Sequence, residues 1–169
     1  MTDTITNKVS ESGIITLDLE NWFPKDPIDL FDLKDYLFME LILKEKDFRQ
    51  TLINFDWEIY KNKNVALFCS TDAIVPLWAY MLVTVYLQPV AKSIYSGTVE
   101  EMKKDIFIRN IQSINAETYK DARVVVKGCG DIKIDAYAFT EITKLLQPHV
   151  KSLMYGEPCS TVPLYKKKI

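Results

Sequence analysis

The feature that most constrains how this chain folds is an internal repeat. Leu87-Gln88-Pro89-Val90-Ala91-Lys92-Ser93-Ile94-Tyr95-Ser96-Gly97 aligns without gaps on Leu146-Gln147-Pro148-His149-Val150-Lys151-Ser152-Leu153-Met154-Tyr155-Gly156, with six of eleven positions identical. Upstream of each lies an apolar, β-branched run that ends in cysteine: Asn64–Cys69 in one copy, Arg123–Cys129 in the other. Cys69 stands 20 residues before Pro89, and Cys129 stands 19 before Pro148. Residues 64–97 and 123–156 each spell strand, cysteine turn, helix, Leu-Gln-Pro stop, strand and glycine, which is a βαβ unit written twice. Chance similarity of two helix-to-strand junctions is the competing explanation, because eleven residues is short.

The remaining elements fit around these copies. Ile14–Leu19 has the pattern of a strand. Leu30–Leu43 has the pattern of a helix whose Ile42-Leu43 end is also compatible with extended chain, and Lys46–Phe55 has that of a second helix, followed by Trp57 and Tyr60 as packing residues. Thr98-Val99-Glu100-Glu101 is a capping box that opens a helix running to about Ile114. Ala116–Lys120 adds a turn before a strand at Ala122–Lys127. Asp135 is the expected cap of a helix over Ala136–Gln147 that buries Ile142, Leu145 and Leu146. Strands alternating with helices, the strands apolar on both faces, predict an α/β fold: a single three-layer domain over residues 1–169 with a mainly parallel sheet. Residues 1–12 are the stretch compatible with disorder.

Charge and composition exclude several classes. A net charge of −2 with a pI near 5.5 gives no electrostatic basis for nucleic-acid binding, and the basic run Lys166–Lys168 suits a solvated tail. The N-terminus shows neither the basic nor the apolar region of a secretory signal. Ala73–Ala91 is uncharged for 19 residues, nearly a membrane span, but Pro76 and Pro89 interrupt it. With Pro76 as its first residue, the helix has about a dozen residues. It is apolar nearly all round, so it is expected in the core or at a subunit interface, for example of a homodimer.

Three cysteines at wide spacing are not a disulfide framework and suggest reduced thiols in a cytoplasm. In an open parallel sheet, residues just past the carboxyl ends of the strands share one rim, where ligands usually bind. Cys69, Cys129 and Cys159 follow strands ending near Phe68, Lys127 and Tyr155, so that rim is where they are expected. Three thiolates there suit one transition metal, zinc or an iron centre, with an open position for water or a small anionic ligand. They equally suit thiol–disulfide chemistry, or three small buried side chains. Ser70, Thr71 and Asp72, and Glu157, Ser160 and Thr161, are the polar candidates for ligand binding at that rim, although helix capping is the commoner use of such residues. Asp131 follows Cys129 in the same way.

The lone histidine, His149, precedes the strand at Lys151–Tyr155 and so belongs at the opposite end, about 17 Å away. That placement removes it as a cysteine-site ligand and leaves a nucleophilic hydrolase without a base. No Walker loop and no GxGxxG is present, and the cysteine-phosphatase arginine is replaced by Val75 and Asp135.

Phe31-Asp32-Leu33-Lys34-Asp35, Leu43–Arg49, Asp72–Leu82, Lys127-Gly128-Cys129 and Gly156–Tyr165 together resemble a bacterial family known as domain of unknown function 2480. The resemblance spans nearly the whole chain and implies a cytoplasmic bacterial protein; it carries no activity or site with it. The residues therefore leave two readings. One is a three-cysteine metal site. The other is a non-catalytic, homodimeric binding or scaffold domain with structural cysteines.

Overall fold

The computed structural model describes residues 13–128 and 130–168; residues 1–12, the stretch compatible with disorder, lie outside it, as do Cys129 and Ile169. Among the described residues, seven strands and four α-helices follow in chain order: β1 (Ile14–Leu17), β2 (Ile28–Asp32), α1 (Glu45–Asn54), β3 (Asn64–Phe68), α2 (Leu77–Leu87), β4 (Ser93–Ser96), α3 (Val99–Gln112), β5 (Arg123–Val126), α4 (Ala136–Leu146), β6 (Ser152–Glu157) and β7 (Ser160–Lys166). Short 3-10 turns at Leu19–Trp22, Leu33–Tyr36, Trp57–Tyr60 and Ala116–Tyr119 link them. The α/β class and the two βαβ copies are as the sequence predicts. The strands, however, form two sheets rather than one: β2-β3-β4, all parallel, and β1-β5-β6-β7, parallel except for the antiparallel last pair. Each copy pairs its own two strands and adds one earlier strand beside them.

Contacts cluster accordingly into two compact units. One is Pro24–Ile106; the other consists of the chain up to Phe23 and from Phe107 onward, so the first is an insertion within the second. The repeat is exact in spacing. β3 and β5 begin at Asn64 and Arg123, α2 and α4 at Leu77 and Ala136, β4 and β6 at Ser93 and Ser152, a constant offset of 59 residues. It also reaches further than the sequence reading saw, since β1 and β2 each lead into an aspartate that caps a 3-10 turn, Asp18 in one and Asp32 in the other.

Both cores follow from periodicity. Ala79, Val83 and Leu87 on α2, and Ala138, Ile142 and Leu146 on α4, recur every four residues and are buried against their own sheets. In the inserted unit Phe31 lies between Tyr36 and Trp57, with ring centroids 5.0 and 5.6 Å away and rings nearly parallel. Burial pushes the Tyr36 hydroxyl up to about 12. The other unit packs Leu17, Phe107, Ile111, Val124 and Leu153 in the same role.

Several expectations are corrected. Leu30–Leu43 is not a helix: Ile28–Asp32 pairs with β3, Asp32 ends the strand, and the chain then doubles back through an isolated bridge between Phe38 and Ile42. Its apolar residues fit both periods, and parallel pairing with β3 decides between them. Met39 and Glu40 take the left-handed conformation that this reversal requires, with φ of 54° and 59°. The capping box is present, with Thr98 N–H donating to Glu101 Oε2 at 2.8 Å and Glu101 N–H to Thr98 Oγ1 at 3.2 Å. Pro76 and Asp135 occupy the N-cap positions of α2 and α4, but neither makes a side-chain capping bond.

Candidate functional site

Each sheet ends at its carboxyl edge in a small polar cluster built on an aspartate. In the inserted unit Asp32 Oδ1 accepts the Lys34 amide at 2.9 Å, capping the 3-10 turn, and also the Ser70 amide at 3.0 Å. Burial pushes the Asp32 carboxyl up, but the bonds from Ser70 and Lys34 outweigh it and hold the group below the ordinary range. Cys69 follows β3, is half-buried, and packs against this unit's core. Tyr80 of α2 is pushed up by burial first, and then by the nearby Cys69 and Asp32.

The second unit holds its aspartate differently. Asp18 Oδ1 accepts the Glu20 amide at 3.1 Å, and Asp18 Oδ2 pairs with the Lys127 ammonium at 2.7 Å. The Lys127 hydrogen bond is the main cause of the lowered Asp18 carboxyl, and reciprocally raises Lys127. Glu20 accepts the Ile132 amide at 2.7 Å and lies so close over Gly130 that a Cβ there would fall 2.0 Å from its carboxylate. A Cβ on Gly128 would meet the Tyr155 ring at 2.6 Å. A Cβ at either glycine flanking position 129 would therefore displace the end of a side chain, the Tyr155 ring or the Glu20 carboxylate. The cleft among Asp18, Glu20, Lys127 and Ile132 holds about 30 Å³, room for a single water.

The cysteines are placed as follows. Cys69 belongs to the inserted unit and Cys159 to the other, each just past a strand of its own sheet; Cys129 lies outside the described residues. The constant offset makes Gly128 the counterpart of Cys69, and Ser70 the counterpart of position 129, so the two cysteines are one residue out of register rather than equivalent. Cys159 is exposed in the two-residue turn Pro158-Cys159 between β6 and β7. Strand β6 runs on to Glu157, beyond the expected end at Tyr155, and Ser160 and Thr161 open the returning strand β7, paired with Glu157 and Gly156. Ser70 and Asp72 are exposed and the Thr71 carbonyl accepts the Ala73 amide at 2.9 Å; all three lie ahead of Pro76 and none caps α2. Among the described residues no group of three His, Cys, Asp or Glu side chains is placed to hold a metal ion.

His149 stands before β6, at the end away from the Cys159 turn, with Nδ1 2.9 Å from Glu117 Oε1. The residues that the sequence reading missed are Asp18, Asp32 and Lys127. Their signal was present: Leu17-Asp18-Leu19 and Phe31-Asp32-Leu33 repeat the same aspartate-leucine step after a strand.

The same offset exposes the largest difference between the copies. Along α2 and just before it, Ile74, Leu77, Met81 and Val85 are 94, 80, 70 and 67% exposed. The corresponding positions before and along α4 are Lys133, Ala136, Thr140 and Lys144, exposed as well but polar or small. The helix expected in the core or at a subunit interface buries one side against its own unit and presents an apolar stripe on the other.

Fold and site together define a duplicated parallel α/β protein, one βαβ copy inserted within the other, with aspartate-pinned carboxyl edges and one apolar outer helix. The chain belongs to the family described as protein of unknown function DUF2480, whose model matches residues 3–167. No curated protein and no solved structure matches it. Among the described residues no helix is long and apolar enough to cross a membrane.

Proposed function

We propose that the protein is a non-catalytic binding domain that works as a homodimer, paired through the outer face of α2. The carrying observation is the stripe of Ile74, Leu77, Met81 and Val85, set against the polar face at the matching positions of α4. Four large apolar side chains in a row form the kind of contiguous patch that monomers avoid. Ala73–Ala91 holds no charge, so a two-fold axis through α2 brings no like charges together. Burying each such side chain contributes about 1.5–3 kcal/mol. Across two copies the eight side chains give an upper bound of about 12–24 kcal/mol, against the roughly 4–15 kcal/mol that association costs, which supports a dimer. The small cleft at one carboxyl edge and the hydrogen-bonded aspartate at the other favour a structural role for those edges.

Sedimentation equilibrium over a concentration series tests this. The native chain is expected to dimerise, and Met81→Lys to weaken the dimer about 100-fold or more with unchanged circular dichroism. Thr140→Lys, at the matching position of α4, is expected to leave association unchanged. A native chain that stays monomeric at about 1 mM, the weak end of specific association, sinks the proposal.

A further inference from the structure

We infer that the groove at the amino-terminal edge of the β1-β5-β6-β7 sheet binds a small organic phosphate. The groove encloses about 390 Å³, within the range of small-molecule sites. Its charged lining is wholly basic: Arg123, Lys151 and Lys166. In the strand register Arg123 pairs with Ser152 and Ser152 with Lys166, so a guanidinium, a hydroxyl and an ammonium stand side by side across three strands, about 4.8 Å apart at the backbone. That row matches a phosphate group, which offers several acceptor oxygens and close to two negative charges. Met154, Pro163 and Tyr165 complete the lining and give the organic part an apolar surface.

Topology, not local sequence, assembles this basic edge. The Lys166–Lys168 run, which alone suits a solvated tail, returns on β7 to lie beside the starts of β5 and β6. Lys167 is spent on Asp121, 2.9 Å away, and Lys120 and Lys151 also act on that carboxylate. Among the described residues no carboxylate lies within ion-pair distance of Lys151 or Lys166. The inserted unit is a built-in contrast at the same offset. There Asn64 replaces Arg123 and takes the Ser93 hydroxyl as donor at 2.7 Å, Lys92 is paired with Asp26, Lys63 with Asp29, and no strand corresponds to β7. Lys63 and Lys92 at that edge are paired with carboxylates, whereas among the described residues Lys151 and Lys166 at the matching edge have none within ion-pair distance. A chain of net charge −2 with a groove of this size favours a small anion over a nucleic acid.

Isothermal titration of the full chain with phenyl phosphate, inorganic phosphate and benzyl alcohol tests the assignment. Phenyl phosphate is expected to bind saturably and several-fold more tightly than inorganic phosphate, with benzyl alcohol weaker than both and affinity falling as salt rises. Arg123→Gln and Lys166→Gln should each weaken phenyl phosphate about tenfold or more, while Lys168→Gln on the tail should not. Phenyl phosphate no tighter than inorganic phosphate overturns the organic part. No saturable binding overturns the site, as does equal loss in Lys168→Gln, which would mark diffuse tail charge. Tighter retention on phosphatidylserine vesicles or duplex DNA, abolished by the same two variants, overturns the small-molecule assignment. The groove shares no residue with α2, so either proposal can fail alone.

Discussion

The two βαβ copies are the same framework turned to different ends. In both, the second strand, the following helix and the third strand recur at a fixed 59-residue offset, and the helix buries alanine, a β-branched residue and leucine at matching positions. What differs is every surface the framework does not need. The inserted copy has an apolar outer helix face and ion-paired lysines at its amino-terminal edge; the other has a polar outer helix face, a groove lined by Arg123, Lys151 and Lys166 at that edge, and an added strand. Its carboxyl-edge aspartate is held by a lysine, where the inserted copy uses backbone amides. Duplication frees surfaces before it frees cores: a core position is constrained by many contacts at once, an outer position by few. The two binding roles proposed above therefore fall where the copies disagree.

The comparison breaks most readily in the cores. Phe31→Ala removes the ring lying between Tyr36 and Trp57 and is expected to cost about 3–5 kcal/mol. Native-state hydrogen exchange should show the loss in residues 24–106 first. Equal loss of protection throughout would mean that the two units unfold as one.

Grafting the face of α2 onto α4 sharpens it. Thr140→Met with Lys144→Val should give α4 a new apolar stripe and promote association beyond the dimer, by an amount near 2 kcal/mol, read as higher-mass species in light scattering. No new association would mean that the stripe alone is insufficient and that the residues around α2 contribute.

The aspartates come next. Asp18→Ala and Asp32→Ala are each expected to cost about 1 kcal/mol. Both carboxyls are lowered in the folded protein, so their contribution is complete above the unfolded value near 4 and is lost as pH falls through the lowered folded values. The cost of Asp18→Ala should shrink in high salt, since a charge pair holds that group, while that of Asp32→Ala should not. Urea denaturation at two salt concentrations separates them.

The smallest effect is expected at the thiols. Cys159→Ser, in an exposed turn, should change stability by less than about 0.5 kcal/mol, and half-buried Cys69→Ser by about 1 kcal/mol. Metal analysis of protein purified without oxygen belongs with that experiment. Bound zinc or iron that disappears in each single Cys→Ser variant would restore the three-thiolate reading over the structural one.

Much of the framework was legible because local signals and long-range pairing agree there. The repeat, the capping box at Thr98–Glu101 and the reach of α2 between its prolines all follow from short-range chemistry. His149 fell on the correct side because strand direction alone places it. The misses share one cause. Leu30–Asp32, the start of the expected helix Leu30–Leu43, is strand instead because its apolar spacing fits either period and only pairing with β3 decides. Strand β7 was hidden by Pro163, which removes a ladder donor and is tolerated because the strand lies at the sheet edge. The division into two sheets depends on which strand each copy recruits, and nothing in a strand's own residues records that. Of the site, Asp18 and Asp32 share a strand–Asp–Leu step that the sequence carries twice, but the partners Lys127 and Ser70 that hold them lie far along the chain and are set only by strand pairing.

The insertion of one unit within the other sets an order of events at the ribosome. Lys127 must find Asp18 across 109 residues of chain, which at about 5–20 residues per second means a wait of roughly 5–20 seconds after Asp18 is made. The inserted copy has all its own strands before then and can close first, holding the two halves of its host near each other. The amino-terminal strand β1 spends that interval without its partner β5, an apolar edge awaiting company. Among the described strands it waits longest for its partner.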